Sequence, residues 1–365
     1  MALTLHGTVS DNTVALDRKS STPIIFNGDM RIAQRATSVS SVTGTAYYVC
    51  DRWKLGLSNT GTWTLSQDTD VPTGQGFSKS FKLDCTTADS SLASGDIMYL
   101  GQFLEGRNLQ MLKKGTSDAE VITVAFWVKS SKTGTHILNV VSENTRSISK
   151  AYTVSSANTW EKKVITIDAD TSGALNDDNN SSLQFFWWLA GGSNWSGGTL
   201  QTTWGTKVEA NRAVGQVNLA DSTDNNFLLT GVQVEIGTFD ANSIPAFQFE
   251  DACTSLARCQ RYFFTTFAQG TTPAQNVSAN NYLLAVGTDA GSRSHGSLPF
   301  PVLMRSSPTI TTFNPFASNA SARQPNSSTD VAYQSTTARD HSVGCSFTNT
   351  TTQSYHIHIT ADAEL

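Results

Sequence analysis

The stretch Leu228–Phe267, LLTGVQVEIGTFDANSIPAFQFEDACTSLARCQRYFFTTF, changes its hydrophobic period partway along and thereby decides the fold. Val232, Val234 and Ile236 alternate with polar residues, which is the two-residue period of a half-buried strand. After Pro245 the apolar residues recur at helical spacing, at Ala252, Leu256, Cys259 and Phe263. The stretch therefore predicts one strand, one turn and one short helix, which join two β-rich parts of the chain.

Charged residues mark both ends of the predicted helix. Glu250 and Asp251 precede it, and Arg258 and Arg261 lie near its end. This is the polarity that the helix dipole favours. We expect the apolar face to pack on a domain or on the same helix of neighbouring chains, so the candidate assembly residues are Ala252, Leu256, Cys259 and Phe263.

Composition supports a β-rich chain. Asp, Glu, Lys and Arg make up 15% of the 365 residues, against about 25% in an average soluble domain. Ser, Thr, Asn and Gly fill the gap, and they suit strands and turns. About ten short runs, beginning with Ala46–Lys54, end at Ile236, and about six more follow. Large aromatics in or beside these runs are interpreted as core residues, namely Trp53, Trp63, Trp127 and Trp160.

These patterns predict an all-β protein with a jelly-roll or β-sandwich domain, a short linking helix and a second, smaller β-sandwich domain. The predicted divisions are an N-terminal docking segment at 1–27, a jelly-roll domain at 28–249, the linking helix at 250–264 and the C-terminal sandwich at 265–365. The first segment is too short to bury a core alone. We expect it to dock on the main body, on a neighbouring subunit or on another protein.

The charge and the apolar runs exclude several classes of partner. The net charge is −5 and there is no basic arm, so nucleic acid is not expected as a partner. No apolar run approaches the roughly 18 residues of a membrane span, and the first residues do not form a signal peptide. We therefore expect synthesis in a cytoplasm, with reduced and mostly buried thiols at Cys50, Cys85, Cys253, Cys259 and Cys345.

Several short motifs resemble a recurring class of bacteriophage virion proteins, the tail-fibre, tail-tip and head-appendage proteins. They are NGDMRIAQR from Asn27, YVCDRWKL from Tyr48, GVQVEIG with CQRYFFTT in the opening stretch, and FPVLMRSSPTIT at Phe300–Thr311. The likeness covers most of residues 24–365, and the motifs are structural rather than catalytic. It implies a homotrimeric viral structural protein with a carbohydrate-binding-module-like jelly roll. It further implies attachment to other virion proteins through the N-terminal segment, and receptor binding on a host-surface glycan.

The densest aromatic region, FFWWLAGGSNWSGGTLQTTW from Phe185 to Trp204, offers candidates for a glycan site. Such sites stack sugars on exposed aromatic faces beside amide or carboxyl groups. Neighbouring Trp187 and Trp188 point to opposite faces of a strand, so one of them belongs to the core. The candidate glycan-binding residues are Trp195, Trp204 and Trp188, and the alternative is plain packing or subunit contact.

Two patterns suggest metal sites. Asp168, Asp170 and Ser172 occupy the first, third and fifth positions of a calcium-like loop, which fails at its twelfth position, where Asn179 stands. The alternative is a solvated Asx-rich turn. His356 and His358 share one strand face, and in a trimer they would offer six nitrogens to an axial metal. The alternative is an exposed polar face of the last strand. No other cofactor is expected.

No catalytic residues are predicted. The sequence holds no GxSxG, HExxH or P-loop motif. The carboxylate pairs Glu105 with Asp118, and Glu250 with Asp251, cannot be placed relative to each other from the sequence. We expect a non-enzymatic tail-fibre or appendage protein, located in the virion. The alternatives are a glycan-cleaving tail enzyme, a head decoration or fibre protein without a receptor role, and a secreted carbohydrate-binding module, which the missing signal peptide disfavours.

Overall fold

The computed structural model describes residues 19–277, 283–286, 293–324, 328–348 and 354–365, and in these ranges the chain is mostly antiparallel β-sheet. The strands, numbered here in chain order, form two large sheets before the linking helix and two smaller ones after it. The predicted all-β fold is confirmed. Most of the predicted docking segment, including the apolar pairs Leu3–Leu5 and Val14–Leu16, lies outside the described residues.

The first sheet has six strands. In spatial order they are β1 (Ser38–Val42), β4 (Thr62–Asp68), β5 (Ser80–Thr87), β13 (Asn226–Ile236), β7 (Ile122–Ser130) and β10 (Glu161–Ile167). The second sheet has seven strands, in the order β12 (Gly205–Thr206), β9 (Arg146–Val154), β8 (Gly134–Ser142), β11 (Ser181–Gly191), β6 (Ile97–Glu105), β3 (Lys54–Ser58) and β2 (Ala46–Tyr47). All strand pairings in these two sheets are antiparallel, as in a sandwich or jelly roll.

The main core lies between these two sheets, because each strand turns every second residue inward. In β7, Phe126 and Val128 are buried there, and in β11 Phe185 and Trp187 are buried. The ring centroids of Phe126 and Trp187 are 5.6 Å apart, and those of Trp187 and Trp53 are 5.4 Å apart. Ile24, Ile25 and Phe26 join this core. This end of the predicted docking segment therefore packs on the main body.

The C-terminal part is built around one strand. β22 (Ser354–Asp362) pairs with β14 (Phe263–Thr265), β15 (Leu283–Val286), β17 (Thr309–Phe313) and β18 (Ala322–Gln324), and β18 pairs with β19 (Thr329–Val331). The fourth sheet has the order β16 (Arg293–Pro299), β21 (Ser342–Thr348) and β20 (Tyr333–Ala338). A second core lies here, and its larger residues are Phe300, Met304, Val343, Phe347, Ile357 and Ile359.

The linking helix is α2 (Ala252–Gln260), and a one-turn helix, α1 (Ser193–Ser196), lies in the loop after β11. Asp251 caps α2 by accepting a hydrogen bond from the backbone N–H of Thr254 at 3.0 Å. This bond and a second one from the Thr254 hydroxyl lower the pKa of Asp251. Asp251 thus acts at the helix N-terminus, as the charge pattern predicted, while Glu250 pairs with Arg258 at 2.7 Å.

The predicted strand Ala46–Lys54 is wrong. Ala46–Lys54 is not a single strand but β2, a turn and the first residue of β3. The turn places Arg52 in the left-handed region, at a φ of 72°. A non-glycine residue rarely adopts this conformation unless its surroundings hold it there. The buried contacts of Arg52, described next, are such surroundings.

The two β-rich parts are joined by a buried polar cluster, which we call the joint. Arg52, which is 0% exposed, pairs with Glu364 and stacks on the ring of Tyr262, with Cζ 3.4 Å from the ring centroid. Arg35 stacks on Phe263 at 3.7 Å and pairs with Glu364 at 3.3 Å. Burial alone would lower the pKa of Arg52, but the charge of Glu364 raises it above its ordinary value.

A second layer of the joint uses Asp51. Its carboxylate accepts hydrogen bonds from the backbone N–H and from the side-chain amide of Gln34, and the same amide donates to the carbonyl of Phe263 at 2.8 Å. Burial raises the pKa of Asp51, and Arg35 and Gln34 only partly offset this effect. Three motifs that are far apart in sequence therefore meet at the joint, namely NGDMRIAQR, YVCDRWKL and CQRYFFTT. Their polar residues connect the two β-rich parts.

All five cysteines are free, and four of them are buried, with Cys253 exposed. The prediction of free, mostly buried thiols is confirmed. None of the helices in the described part of the chain combines the length and the apolar character that crossing a membrane requires.

Candidate functional site

A groove lined by aromatic rings lies on the outer face of the first sheet. Its walls are the loop before β5 and the segment between β13 and α2, and its empty volume is about 610 Å³ including the part open to solvent. The residues that we use to define this aromatic groove are Gln75, Phe77, Trp127, Lys162, Gln233, Phe247 and Phe249.

Three phenylalanines form one wall of the groove. The ring centroids of Phe77 and Phe247 are 5.0 Å apart, those of Phe77 and Phe249 are 5.3 Å apart, and those of Phe247 and Phe249 are 4.8 Å apart. Phe249 is 46% exposed. These contacts hold the rings in place before any ligand arrives, which reduces the ordering that binding would require.

Trp127 and Gly231 form the floor. Trp127 is half-buried and lies opposite Thr230 of β13 and Lys162 of β10 in the strand register. Gly231 has a φ of +62° at an irregularity of β13, and a Cβ atom there would lie 2.5 Å from Phe77 and 3.0 Å from Trp127. Only glycine fits this close approach, so the bulge lets both rings come together.

Gln233 supplies a polar group at the base of the groove. It is 7% exposed, and its Nε2 donates to the carbonyl of Pro245 at 2.9 Å. Its Oε1 is buried and has no hydrogen-bond partner among the described residues. A buried acceptor without a donor costs free energy, roughly 1–3 kcal/mol, unless a ligand or water supplies one. Aromatic faces, an amide acceptor and an amine together can bind a sugar ring, its hydroxyls and a charge.

A smaller pocket lined by carboxylates adjoins the groove and shares Gln233 and Phe247 with it. Asp29, Glu235 and Glu250 line this pocket. Asp29 accepts from Arg31, and Glu250 pairs with Arg258 at 2.7 Å. These two carboxylates are thus already bound to arginines.

The structure shows what surrounds the carboxylates that could not be placed from the sequence. Glu105 is 0% exposed and accepts two hydrogen bonds from Arg261, at 2.7 and 2.6 Å, and a third from the hydroxyl of Tyr262. Its proposed partner Asp118 is exposed. Asp251 caps α2. Glu105 therefore serves the joint, and its burial argues against a role with Asp118 on a surface ligand.

The structure places the three predicted glycan tryptophans at the second sheet, away from the aromatic groove. Trp188 is 0% exposed, so the expectation that it offers a face to a sugar is wrong. Trp188 faces away from the main core, but Arg212 and Trp195 cover it, at 5.2 and 5.8 Å from its ring centroid. Neighbouring Trp187 is also buried, because both faces of β11 are packed.

Trp195 and Trp204 are half-buried. Trp195 lies on α1 and its indole N–H approaches the carbonyl of Gly95 at 3.4 Å. Trp204 donates to the carbonyl of Asp168 at 2.7 Å, and the Nζ of Lys114 lies 3.7 Å from its ring centroid. A cation already occupies one face of Trp204, so these rings show packing contacts rather than an open platform.

The calcium-like loop forms ion pairs with basic side chains. Asp170 is 2% exposed and accepts from Lys114 at 3.1 Å and from both Nε and Nη2 of Arg146 at 2.8 Å. Asp168 accepts from Lys150 at 2.8 Å. Burial acts to raise the pKa of Asp170, but these cations lower it overall. Two cations at one carboxylate would repel Ca²⁺, so the calcium expectation at Asp168, Asp170 and Ser172 is corrected.

The two histidines of β22 differ in their burial. His358 is 0% exposed, stacks on Phe267 with a centroid distance of 4.0 Å, and lies 3.0 Å from the hydroxyl of Thr266. His356 is partly exposed, and burial lowers its pKa. Within the described ranges, no three His, Cys, Asp or Glu side chains are grouped as metal ligands. An axial metal at these histidines is therefore disfavoured, because Phe267 covers His358.

The predicted assembly residues occupy different surroundings. Cys259 and Phe263 are buried, Leu256 is half-buried and Ala252 is exposed. The buried face of α2 is formed by Ser255 and Cys259, and Phe263 lies in β14. Ala252 therefore does not pack on the rest of this chain, and Phe263 lies beyond the helix, in β14. The helical spacing overlooked Ser255 because a serine does not count as apolar.

The sequence interpretation missed the aromatic groove. Trp127 was interpreted as core, but it alternates with Val124, Phe126 and Val128, which are buried. The two-residue period of β7 therefore already placed Trp127 on the opposite face. Phe247 and Phe249 are also two positions apart, a spacing that in extended chain places both rings on one face. Trp53 and Trp63 are core residues, as predicted.

No protein-family model and no curated protein matches the chain. Among solved structures it is similar to the enzymatically active domain of tailspike protein 4 from bacteriophage CBA120, with 13% identity, 51% of this chain covered and a TM-score of 0.29. This chain spans 19% of that domain's length. It is also similar to a family 11 carbohydrate-binding module from Clostridium thermocellum, with 14% identity over 55% of this chain and 98% of that one, and a TM-score of 0.25.

A third similar structure is the family 22 xylan-binding domain from Paenibacillus barcinonensis, with 11% identity over 57% of this chain and 99% of that one, and a TM-score of 0.25. All three TM-scores are below 0.5. The function is therefore argued from the residues of this chain, and the comparisons show no family to which it belongs.

Proposed function

We propose that this protein is a non-enzymatic structural component of a bacteriophage virion, a tail-fibre or related appendage protein that attaches to a host-surface glycan. In this proposal it is made in the host bacterial cytoplasm, assembles as a homotrimer and contacts other virion proteins through its N-terminal segment. The glycan binds in the aromatic groove.

The observation that supports glycan binding is the combination of groups in the aromatic groove. Trp127 offers a half-buried ring, and Phe249 offers an exposed one. Sugars bind to such rings through the apolar C–H faces of the pyranose, while their hydroxyls need hydrogen-bonding partners. Gln233 lines the groove, and its fully buried Oε1 would accept such a bond once the side chain turns toward the ligand.

The role in a virion is supported by the motifs that resemble phage appendage proteins. Their polar residues meet at the joint, where Arg52, Asp51 and Gln34 connect the two β-rich parts. A chain that must transmit force or position between an attachment point and a receptor site benefits from domains that are fixed to each other.

The test is glycan binding by the full chain and by a Trp127→Ala variant, measured on an array of bacterial surface oligosaccharides and then by calorimetry. We expect Trp127→Ala to weaken binding roughly 10- to 30-fold, since a central aromatic anchor typically contributes about 1.4–2 kcal/mol. Phe249→Ala removes an exposed ring and should weaken binding without affecting folding.

The matched control is Trp160→Ala. Trp160 is half-buried at the start of β10, outside the groove, and donates to Asp70. Its replacement should leave glycan binding unchanged. If the parent chain binds no glycan, or if both groove variants bind as the parent does, the groove is not the attachment site.

One observation favours a second candidate function, a glycan-cleaving tail enzyme. The pocket with Asp29, Glu235 and Glu250 adjoins the groove, and glycoside hydrolysis uses two carboxylates about 5–9.5 Å apart. A reducing-sugar assay on host surface polysaccharide distinguishes the two functions. Steady product release that is lost in Glu250→Gln or Glu235→Gln would identify the enzyme and overturn the binding-only proposal.

A further inference from the structure

We propose that the glycan in the aromatic groove is anionic, a sugar that bears a carboxylate such as a hexuronic acid, and that Lys162 binds its charge. This inference rests on the proposed glycan-binding function and adds the chemical class of the ligand.

The strand register places Lys162 beside the aromatic floor. Lys162 of β10 lies directly opposite Trp127 of β7. Such cross-strand pairs on one face have Cβ atoms about 4.5–5.5 Å apart. The ammonium group therefore reaches the edge of a ring that stacks on Trp127, which is where the carboxylate of a uronic acid projects.

Lys162 also lacks a counter-ion. No ion pair or hydrogen bond of its ammonium group is formed with any described residue. Its neighbours on the same sheet differ, since Lys129 pairs with Asp70 at 2.6 Å and Lys163 pairs with Glu161 at 2.5 Å. A cation left unpaired beside apolar rings is available to a ligand.

The charge distribution in the groove points the same way. Among the described residues that line it, Lys162 is the charged one, and none is a carboxylate. The nearby carboxylates Glu235 and Glu250 line the adjoining pocket, on the side of Gln233. A ligand that places its negative group near Lys162 and its hydroxyls near Gln233 matches the groups at the two ends of the groove.

Lys162 is an exposed residue, and partial burial of its amine lowers the pKa of that amine. A carboxylate beside the amine would stabilise its charged form. A neutral sugar would not, so the groove discriminates between the two.

The experiment measures binding to uronic-acid oligosaccharides from bacterial surface polysaccharides, each paired with its carboxyl-reduced form. The protein is the full chain, with Lys162→Gln and a matched control, Lys113→Gln. Lys113 is an exposed lysine outside the groove, so its loss changes the net charge by the same amount. We expect the parent to favour the acidic forms about two- to fivefold, as for an exposed ion pair.

In Lys162→Gln this preference should disappear, and Lys113→Gln should keep it. Raising the salt should also weaken the preference of the parent. Equal binding of acidic and reduced forms by the parent would overturn this inference and leave the glycan site in place. If the parent bound neither the acidic nor the reduced forms, in contrast, both the proposed function and this inference would be overturned.

Discussion

Arg52 and Glu364 form a buried ion pair although they are 312 residues apart in the chain. Arg52 belongs to a turn of the first β-rich part, and Glu364 follows the central strand of the second. The pair connects the two parts through a guanidinium that is 0% exposed.

Removing one partner of this pair should destabilise the protein strongly. Glu364→Leu leaves the buried guanidinium of Arg52 without its carboxylate, which typically costs about 3–5 kcal/mol, whereas Arg52→Leu should cost less, because Glu364 keeps its pair with Arg35 at 3.3 Å. The double variant removes both charges and should recover much of this loss. The measurement is urea unfolding of the four proteins of this cycle. Lys113→Leu, which breaks the exposed pair with Glu120, should change the free energy of unfolding by less than about 1 kcal/mol. Equal stabilities of the parent and both single variants would show that the pair does not hold the joint.

Gly231→Ala should damage the aromatic groove. Its φ of +62° and the approach of Phe77 to 2.5 Å from a Cβ atom mean that the added methyl must displace this ring. We expect lower stability and weaker glycan binding. Gly270→Ala is the control, since Gly270 has a similar φ of +79° but nothing within 4 Å of a Cβ atom. The control should lose only the roughly 1–2 kcal/mol of a left-handed alanine. Thermal unfolding and calorimetry measure both effects, and identical behaviour of the two variants would contradict the role of the close approach.

His136 should make stability fall in mild acid. It is 0% exposed, stacks on Tyr152, and burial lowers its pKa from 6.5 to about 4. Because the unfolded chain binds the proton more tightly, stability is lost as the pH falls from about 6.5 to about 4, and the loss amounts to about 3 kcal/mol.

Urea unfolding of the parent and of His136→Gln between pH 4 and pH 7 isolates this contribution. The difference in stability between the two proteins should shrink as the pH falls. His341→Gln, at a side chain that is 62% exposed, should show no such change in the difference. A difference that stays constant across this range would show that His136 does not couple folding to protonation.

The predicted trimer is tested by light scattering, with an expected mass three times the chain mass of 39.3 kDa. Leu256→Asp places a charge on the half-buried side of α2 and should cause loss of the trimer. Val208→Asp changes an apolar residue that is 47% exposed elsewhere on the surface, and it should leave the trimer intact. A monomer in the parent would contradict the trimer, and a trimer in Leu256→Asp would show that α2 does not form its interface.

Local patterns were sufficient to predict the elements of the fold. The alternation in β13 and the acidic residues before α2 follow directly from strand period and helix polarity. The turn at Arg52 was not predictable in this way, because its conformation is held by Glu364 and Tyr262, which are distant in sequence. Helical spacing also misplaced Ala252, since the face of a short helix is chosen by what packs on it.

The candidate site was harder to predict, because its parts come from five separate stretches of chain. The groove residues that come together through the fold of the first sheet are Phe77, Trp127, Lys162, Gln233 and Phe247. By contrast, the aromatic side chains of β11, which belong to the densest aromatic region of the sequence, are packed on both faces of the strand. A local density of tryptophan therefore did not indicate an open surface at Trp188.

The joint also has a consequence for how the chain reaches its native state. Closing a loop of 312 residues is slow relative to forming local hairpins, and long-range pairing limits the folding rate of β-proteins. Until Glu364 arrives, Arg52 lacks its carboxylate partner. Refolding followed by tryptophan fluorescence should therefore show an early collapse around Trp53 and Trp187, then a slower phase that Glu364→Leu alters. The chain is vulnerable to misassembly during the interval between these two steps.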